Sequence, residues 1–413
     1  MAATPRNPMT QPDAADGSST HDRGVLSVFL VFLRLGLTSF GGPVAHLGYF
    51  RDEFVTRRRW LSERAYADLV GLCQFLPGPA SSQVGLALGM SRAGYAGALA
   101  AWTGFTLPSA LAMILLAQGL AAWGANVPPG LLHGLKLVAV AVVAQAFWGM
   151  ARNLCPDTLR VTIMAIAVCL AVAVPGPWIQ VAVIAATAIA GLLLIRTETA
   201  PVHDPLPMPV THRAGVAALV LFAVLMAGLP LLARHAGAGA VPMFDAFFRA
   251  GALVFGGGHV VLPLLDAAVI PTGWVSRDAF LAGYGVVQAM PGPLFTFAAF
   301  LGAAMQIEPT GWAGGLLCLV AIFLPGMLLV IGVLPFWESL RRSRRAQAAL
   351  AGVNAGVVGL LLAALYQPVW TSAVHAPRDF GLAVVALVAL MWWRLPPWLV
   401  VAVAAVAGWA AGL

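Results

Sequence analysis

The sequence has 413 residues, of which 60% are hydrophobic and only 9% are charged, and its formal net charge is +7. Ordinary globular chains contain about 45–50% apolar and about 25% charged residues, so a soluble fold of this size would lack the charges to cover its surface. This composition, with a mean hydropathy of +0.88, excludes a soluble multidomain enzyme, a disordered scaffold and a conventional nucleic-acid-binding protein. We therefore expect a polytopic membrane protein embedded in a lipid bilayer.

Residues 1–23 are rich in Pro, Asp, Ser and Thr and contain no apolar run, which predicts a disordered cytoplasmic tail. Strictly alternating strand patterns are absent from the rest of the chain, so the predicted fold is all-α. Apolar stretches follow at about 24–50, 65–90, 96–119, 131–149, 160–174, 177–195, 214–233, 245–264, 279–305, 312–336, 350–366, 379–393 and 396–412. The longest polar interruption, 196–213, is the predicted linker between two halves.

Several sequence blocks occur twice in the same order, which indicates a duplicated membrane unit. FLRLGLTSFGGPVAHL from Phe32 matches FFRAGALVFGGGHVVL from Phe247 at an offset of 215. QFLPGP matches QAMPGP at an offset of 214, and TLPS matches FLPG at an offset of 217. We therefore assign a first repeat to 24–195, a linker with a connecting transmembrane helix to 196–244, and a second repeat to 245–413.

Arginine placement predicts that the two repeats have opposite orientations in the membrane. The loop after the first block carries five arginines, whereas the corresponding residues 264–278 contain only Arg277. Conversely, the loop around 120–130 has none, and its counterpart carries Arg341, Arg342, Arg344 and Arg345. Short arginine-rich loops remain on the cytoplasmic side, so each pair of equivalent loops swaps sides.

A consistent topology follows if each repeat begins with two re-entrant or broken helical hairpins and continues with about four transmembrane helices. In the first repeat the breaks fall at Gly41-Gly42 and at Pro77-Gly78-Pro79. This arrangement places the N-terminus in the cytoplasm and the C-terminus in the periplasm. The alternative counts every hairpin as one span and gives thirteen membrane segments.

Arg34 and Arg249 are equivalent in the two repeats and are the first candidates for a ligand-binding role. Each lies in an apolar stretch, where an arginine costs about 2.5–3.5 kcal/mol unless it has an internal partner or a water-filled cavity. No acidic residue lies within one helical turn of either arginine. The sequence thus predicts that each presents a fork of donors to an anionic ligand; the alternative is that each snorkels to an interface or binds backbone carbonyls.

The glycine and proline breaks are the second candidate feature, because a broken membrane helix exposes backbone N–H groups that bind anions. Pro43, Pro79 and Pro293 are predicted at the first position of a half-helix, where proline loses no hydrogen bond. An ordinary kink is the alternative. The complete set of break residues comprises Gly41, Gly42, Pro43, Gly256, Gly257, Pro77, Gly78, Pro79, Pro291, Gly292 and Pro293.

Polar side chains near these breaks are further candidates. Ser39 is an additional candidate donor, and Gln74 and Gln288 recur as a pair. His46 and His259 are candidate proton carriers, although they do not align with each other. Other polar residues near the breaks are Thr38, Ser81, Ser82, Gln83 and Thr296. Lys136, near the middle of a predicted span, has no equivalent in the second repeat and no assigned role.

The sequence contains no motif of a common enzyme class: HExxH, GxSxG, a phosphate loop and metal-like Cys/His clusters are all absent. We therefore expect neither an enzyme nor a cofactor.

With both repeats identified, the chain resembles the chromate ion transporter family in its long, two-domain form. The runs that carry the resemblance are FLRLGLTSFGGPVAHL, RRRWLSERAYADLVGLCQFLPGP and GYAGALAAWTGFTLP, with their echoes FRAGALVFGGGHVVLP, WVSRDAFLAGYGVVQAMPGP and GWAGGLLCLVAIFLP. The resemblance implies export of chromate across the bacterial inner (plasma) membrane, driven by the proton motive force, with protons as the coupling ion of an antiporter. Phe-Gly-Gly-Pro becomes Phe-Gly-Gly-Gly in the second repeat, so equal ligand binding by both repeats stays open.

Chromate and sulfate are both tetrahedral dianions, so arginine forks and half-helix N-termini would bind either. Sulfate or another inorganic anion is therefore the alternative substrate, and a membrane scaffold or sensor is the alternative class. The sequence leaves the oligomeric state open, a homodimer included.

Overall fold

The computed structural model describes residues 24–123, 128–174, 179–196, 210–255, 258–337, 340 and 343–410. The predicted tail at 1–23, most of the linker, the break residues Gly256 and Gly257, and the loop arginines Arg341 and Arg342 lie outside these ranges. Throughout the described residues the regular structure is helical, without a strand. The all-α prediction is therefore confirmed.

The first repeat contains four helical segments that form two hairpins, followed by longer helices. Its elements are α1 (Val25–Thr38), α2 (Gly42–Arg51), a π turn (Asp52–Arg57), α3 (Glu63–Phe75), α4 (Ala80–Trp123), α5 (Pro129–Leu154), α6 (Thr158–Ala173) and α7 (Ile179–Leu194). α4 is interrupted at Ala93 and Gly94, whose backbone leaves the helical conformation. The second hairpin therefore ends at this kink, and a membrane-length helix begins after it.

The second repeat follows the connecting helix α8 (His212–His235) and has the same order of elements. These are α9 (Ala240–Ala252), α10 (Val261–Val269), α11 (Arg277–Val287), α12 (Phe297–Ala303), α13 (Gly311–Val333), α14 (Arg344–Ala364), the single turn α15 (Thr371–Ala373), α16 (Pro377–Met391) and α17 (Pro397–Ala410). Equivalent residues cap equivalent helices: the Ser62 and Ser276 hydroxyls accept from the third backbone N–H of α3 and α11.

The predicted breaks are confirmed where the structure describes them. Gly41, Gly42, Gly78 and Gly292 have φ values of +96°, +77°, +120° and +91°, a region that residues with a Cβ rarely enter. The predicted proline positions are off by one residue. Pro43 is the second residue of α2, and Pro79 and Pro293 directly precede the helical turns that begin at Ala80 and Leu294.

Each repeat packs one long helix against the last two helices of the other repeat. α5 of the first repeat packs against α16 and α17 of the second, while its equivalent α14 packs against α6 and α7 of the first. Glycine allows the closest approaches: Gly134 lies against Gly408, and Gly352 lies against Gly191. Each pair joins opposite repeats, so neither repeat is a separate globular unit.

Five helices among the described residues are long and apolar enough to cross a membrane: Ala80–Ala122, Gly130–Leu154, His212–His235, Gly311–Phe336 and Arg344–Ala373. The shorter apolar helices include α6, α7 and α17. The chain is thus a polytopic membrane protein.

Candidate functional site between the repeats

The breaks of opposite repeats meet in two equivalent contacts. The backbone N–H of Gly292 donates to the Ser39 carbonyl at 2.9 Å, and the N–H of Gly78 donates to the Val254 carbonyl at 2.7 Å. Gly78 is equivalent to Gly292, and Ser39 is equivalent to Val254, at offsets of 214 and 215. The Pro-Gly-Pro segment of each repeat is therefore held against the first-hairpin break of the other.

Glycine is required sterically in both contacts. A Cβ on Gly292 would lie 3.0 Å from both the Phe105 carbonyl oxygen and Ser109 Oγ. A Cβ on Gly78 would lie 2.9 Å from Gln83 Nε2 and 3.1 Å from Gly326 Cα. These contacts leave no room for a side chain, so the backbones themselves form the junction.

Buried polar atoms without a hydrogen-bond partner are concentrated in the first repeat around this junction. They are Ser39 Oγ, His46 Nε2, Ser82 Oγ, Gln83 Oε1, Trp102 Nε1 and Thr106 Oγ1. An unsatisfied buried polar group costs about 1–3 kcal/mol. Such a group is retained where a water, an ion or a ligand completes its hydrogen bonds.

Three of these unpaired atoms belong to residues around one small cavity of about 10 Å³. Ser82, Gln83 and Trp102 line one side, and Phe323 and Gly326 of α13 line the other. This space is about the minimum that a single water needs. Between the repeats there is thus a small site where the Ser82 hydroxyl and the Trp102 indole N–H can donate hydrogen bonds, whereas the unpaired Gln83 atom is the amide oxygen, an acceptor.

The second repeat is apolar where the first is polar. Ser39, Ser82 and Thr106 correspond to Val254, Thr296 and Phe323. The one hydroxyl among these equivalents is satisfied locally, because Thr296 Oγ1 donates to the Pro293 carbonyl at 2.9 Å. The backbone junction is therefore symmetric, whereas its side-chain chemistry belongs to the first repeat.

The two candidate arginines occupy different surroundings. Arg249 forms a two-bond ion pair with Asp245, at 3.0 Å from Nε to Oδ1 and 2.6 Å from an Nη to Oδ2. The expectation that it lacks an acidic partner is wrong, because Asp245 lies four residues earlier on the same helix face. Arg34 is exposed, and Leu30 stands where the second repeat has Asp245. Neither arginine lines the cavity at the junction.

A buried carboxylate near Arg34 comes from a different element. Glu53, in the π turn after α2, accepts from Arg58 Nε at 2.6 Å and from an Arg57 Nη at 3.0 Å. Burial opposes ionisation of Glu53, but the hydrogen bond and charge of Arg58, with the charges of Arg57 and Arg34, lower its pKa below the usual value. In the first repeat the acidic residue, Glu53, therefore follows the Gly41-Gly42 break. In the second repeat the acidic residue, Asp245, precedes the equivalent break.

Both histidines are near the junction. His46 is fully buried, with Nδ1 3.4 Å from Ser81 Oγ, and its ring packs edge-on against Phe105. His259 Nδ1 lies 3.2 Å from the Tyr284 hydroxyl, and its Nε2 is 3.8 Å from where a Cβ on Gly42 would be. Their non-equivalence in sequence is matched by different partners in space.

The glutamine pair is not equivalent in the structure. Gln74 is exposed, whereas Gln288 is partly buried and has an unpaired Nε2. The sequence also gave no role to Lys136, whose ammonium forms a 2.5 Å ion pair with Asp278 of the second repeat. This partner lies 142 residues away, so local sequence could not reveal it.

Trp102, Thr106 and Ser109 are the junction residues that sequence reasoning missed. Thr106 and Ser109 lie in the repeated TLPS block, whose second-repeat equivalent is FLPG. The available signal in the sequence was that Thr106 and Ser109 are replaced by phenylalanine and glycine in the second repeat. No group of three metal-binding side chains occurs in the part of the chain that the structure describes.

The comparisons with known proteins identify both repeats. The family model described as chromate transporter matches residues 26–194 and again 241–409. No solved structure matches the chain.

Full-length relatives carry related names. A chromate transport protein of Pseudomonas aeruginosa is 28% identical, over 92% of this chain and 91% of that protein. A chromate transport protein of Cupriavidus metallidurans is 26% identical, over 96% of each chain. An uncharacterized transporter of Methanocaldococcus jannaschii is 24% identical, over 86% of this chain and 88% of that protein. With two family matches, each covering one set of hairpins and helices, this chain belongs to the chromate transporter family of membrane transporters.

Proposed function

We propose that this protein exports chromate from the bacterial cytoplasm as a secondary transporter, and that the anion binds at the junction of the repeats. The observation that carries the proposal is the reciprocal pair of backbone contacts between breaks, with unpaired polar groups buried beside it. A tetrahedral oxyanion accepts hydrogen bonds at every oxygen, so clustered hydroxyl and N–H donors suit it.

The N-terminal end of α4 supplies the principal electrostatic stabilisation in this proposal. The first N–H groups of a helix have no partner within it and carry a partial positive charge. Ser82 is in the first turn of α4, lines the cavity and has a buried, unpaired hydroxyl. Chromate bound there would accept from backbone and side-chain donors together.

The cavity must expand to admit chromate, since its present volume suits about one water. Its far wall is formed by Phe323 and Gly326 of the second repeat. Movement of α13 relative to α4 would open the site to one side of the membrane at a time. We therefore interpret the present arrangement as a closed state of an alternating-access cycle.

Arg34 and Arg249 act in this proposal on opposite sides of the junction, each five residues before the residue that accepts the contact. With inverted repeats, Arg34 attracts the dianion on the cytoplasmic side and Arg249 on the periplasmic side. Break residues Gly41, Gly42, Pro77 and Pro79, with their second-repeat equivalents, shape the backbone between them. His46 and His259 remain the candidate proton carriers.

An inside-negative potential favours outward movement of a dianion by about 4.6 kcal/mol per 100 mV. Export against a concentration gradient then needs no nucleotide hydrolysis. The proposed location is the inner membrane, with the N-terminus in the cytoplasm and the C-terminus in the periplasm. A cysteine introduced at Arg58 tests this topology: labelling only from the cytoplasmic side is expected, and labelling from outside would contradict it.

Uptake of chromate into energised everted membrane vesicles tests export directly. Vesicles containing the wild-type protein should accumulate chromate, and a potassium–valinomycin clamp of the potential should lower the accumulated level. Arg34→Gln should lower the initial rate at low chromate, whereas Arg64→Gln, which removes an exposed arginine of the same half, should not. Absence of uptake by the wild type, or uptake of sulfate alone, would overturn the assignment of chromate as substrate.

A further inference from the structure

A second and larger cavity lies away from the junction, between the second repeat, the connecting helix α8 and α7 of the first repeat. Its volume is about 370 Å³, enough for about a dozen waters. Two cations and one acid, Arg234, Arg249 and Asp245, are the charged residues of its wall, with Thr272 and Trp274 among its neutral members. The cavity therefore has the space and the excess positive charge for a hydrated oxyanion.

Comparison of the repeats explains why the cavity is present. The residue of its wall equivalent to Glu53 is an alanine, Ala267 at the offset of 214 or Ala268 at the offset of 215. In the first repeat the Glu53 carboxylate binds Arg57 and Arg58. In the second repeat the smaller alanines leave space beside Arg249 in place of that carboxylate.

The Asp245 carboxylate binds the Arg249 guanidinium through two hydrogen bonds. A tetrahedral oxyanion can bind a guanidinium in the same two-bond geometry. The Asp245 side chain is 4% exposed, whereas that of Arg249 is 32% exposed. The arginine therefore faces the cavity more openly than its acidic partner does. An anion in the cavity can reach the guanidinium without passing through the protein core.

We propose that this cavity is a second oxyanion site, in which an inorganic dianion binds Arg249 and Arg234 in competition with the Asp245 carboxylate. The proposal rests on the transport function proposed above and assigns this site to the periplasmic approach of the pathway. Asp245 weakens binding, so that an anion leaving the junction is held briefly and then released. In the first repeat the residue equivalent to Asp245 is Leu30, so α1 has no carboxylate at this position to compete with an anion for Arg34.

Trp274 provides a readout that is specific to this cavity. Chromate absorbs where tryptophan emits and therefore quenches nearby indoles. The quenching component lost in Trp274→Phe, measured on purified protein titrated with chromate, reports binding in the cavity. Sulfate should reverse this component by displacing chromate.

Variants of the wall test the competition. Asp245→Asn should shift the Trp274-dependent titration to about tenfold lower chromate, because one charged competitor is removed. Arg249→Gln should abolish this component, and Arg234→Gln, a change at an exposed position, should weaken it severalfold. Arg378→Gln, an exposed arginine outside the cavity, should leave it unchanged.

The outcomes separate this inference from the transport function. If Trp274→Phe leaves quenching unchanged, or Asp245→Asn weakens binding in a protein that melts like the wild type, the cavity is not an anion site. Chromate export by wild-type vesicles would then still support the proposed function. If the cavity titrates as expected but vesicles do not transport chromate, the site stands and the transport proposal fails.

Discussion

The two sides of the junction share one backbone arrangement but differ in side-chain chemistry. Gly78 and Gly292 make equivalent hydrogen bonds to the opposite repeat. Around them, the first repeat contributes Ser82 and Thr106 as unpaired buried groups, while the second contributes Phe323 and a locally satisfied Thr296. Duplication thus preserved the framework, and we infer that ligand recognition was concentrated in one half.

The largest expected effect comes from the shared framework. Gly78→Ala and Gly292→Ala each place a Cβ at positive φ against the opposite repeat or α4. Strain of this kind costs about 1–3 kcal/mol before the steric overlap is added. We expect both variants to lose chromate transport and to melt at lower temperature in detergent.

Gly228→Ala is the matched control for these variants, because its Cβ would meet nothing within 4 Å. It should be stable and active. If Gly78→Ala were impaired and Gly292→Ala were not, the backbone symmetry of the junction would have no functional meaning.

A smaller effect should distinguish the side chains at equivalent positions. Ser82→Ala removes an unpaired hydroxyl, so we expect the KM for chromate to rise about tenfold to a hundredfold, the value of a hydrogen bond to a charged group, about 1.5–3 kcal/mol. Its melting temperature should stay the same or increase, since a buried unsatisfied group is removed.

Thr296→Val is the matched change in the second repeat. It breaks the bond to the Pro293 carbonyl and should reduce stability by about 1 kcal/mol with little change in KM. Concentration-dependent initial rates in everted vesicles measure both variants. Equal increases in KM would contradict the assignment of recognition to the first repeat.

The smallest effect concerns the acid beside Arg34. The lowered pKa of Glu53 means that its charged form stabilises the fold at pH above the usual value for a glutamate. That contribution is lost as the pH falls through the lowered value. Glu53→Gln should therefore reduce stability by about 1–2 kcal/mol at neutral pH and show a smaller further loss on acidification than the wild type.

Glu63→Gln serves as the control, because its ion pair with Arg51 is exposed and contributes little. Thermal melts from pH 7 down to pH 4 make the comparison. A wild type and Glu53→Gln variant with identical pH dependence would show that the carboxylate does not contribute as described.

The repeated blocks in the sequence predicted the duplicated fold, and the breaks that they share meet the opposite repeat at Gly78 and Gly292. It predicted the breaks at Gly41-Gly42 and at Gly78 because glycine and proline act locally on the backbone. Ion pairs were harder to predict than breaks. Lys136 contacts Asp278 only because helices of the two repeats pack against each other. Asp245 was not predicted as the partner of Arg249, although the i, i+4 spacing places both on one face of α9.

The polar residues at the junction were also only partly predictable from the sequence. Ser39 and Ser82 attracted notice because they lie beside a break, whereas Trp102 lies twenty residues further along α4 and reaches the cavity through helix packing. The equivalent positions of Arg34 and Arg249 in the two repeats favoured equal roles for them. Their unequal surroundings arise from Leu30, Asp245, Glu53 and Ala268, differences that matter only once the helices are packed.

The location of bound chromate tests the central claim most directly. Chromium scatters anomalously, so a crystal of the protein grown with chromate would locate the metal atom in an anomalous difference map. We predict the strongest peak at the junction, between Ser82 and Trp102 of α4 and Gly326 of α13. A map with no peak there, in a protein that transports chromate, would contradict the account.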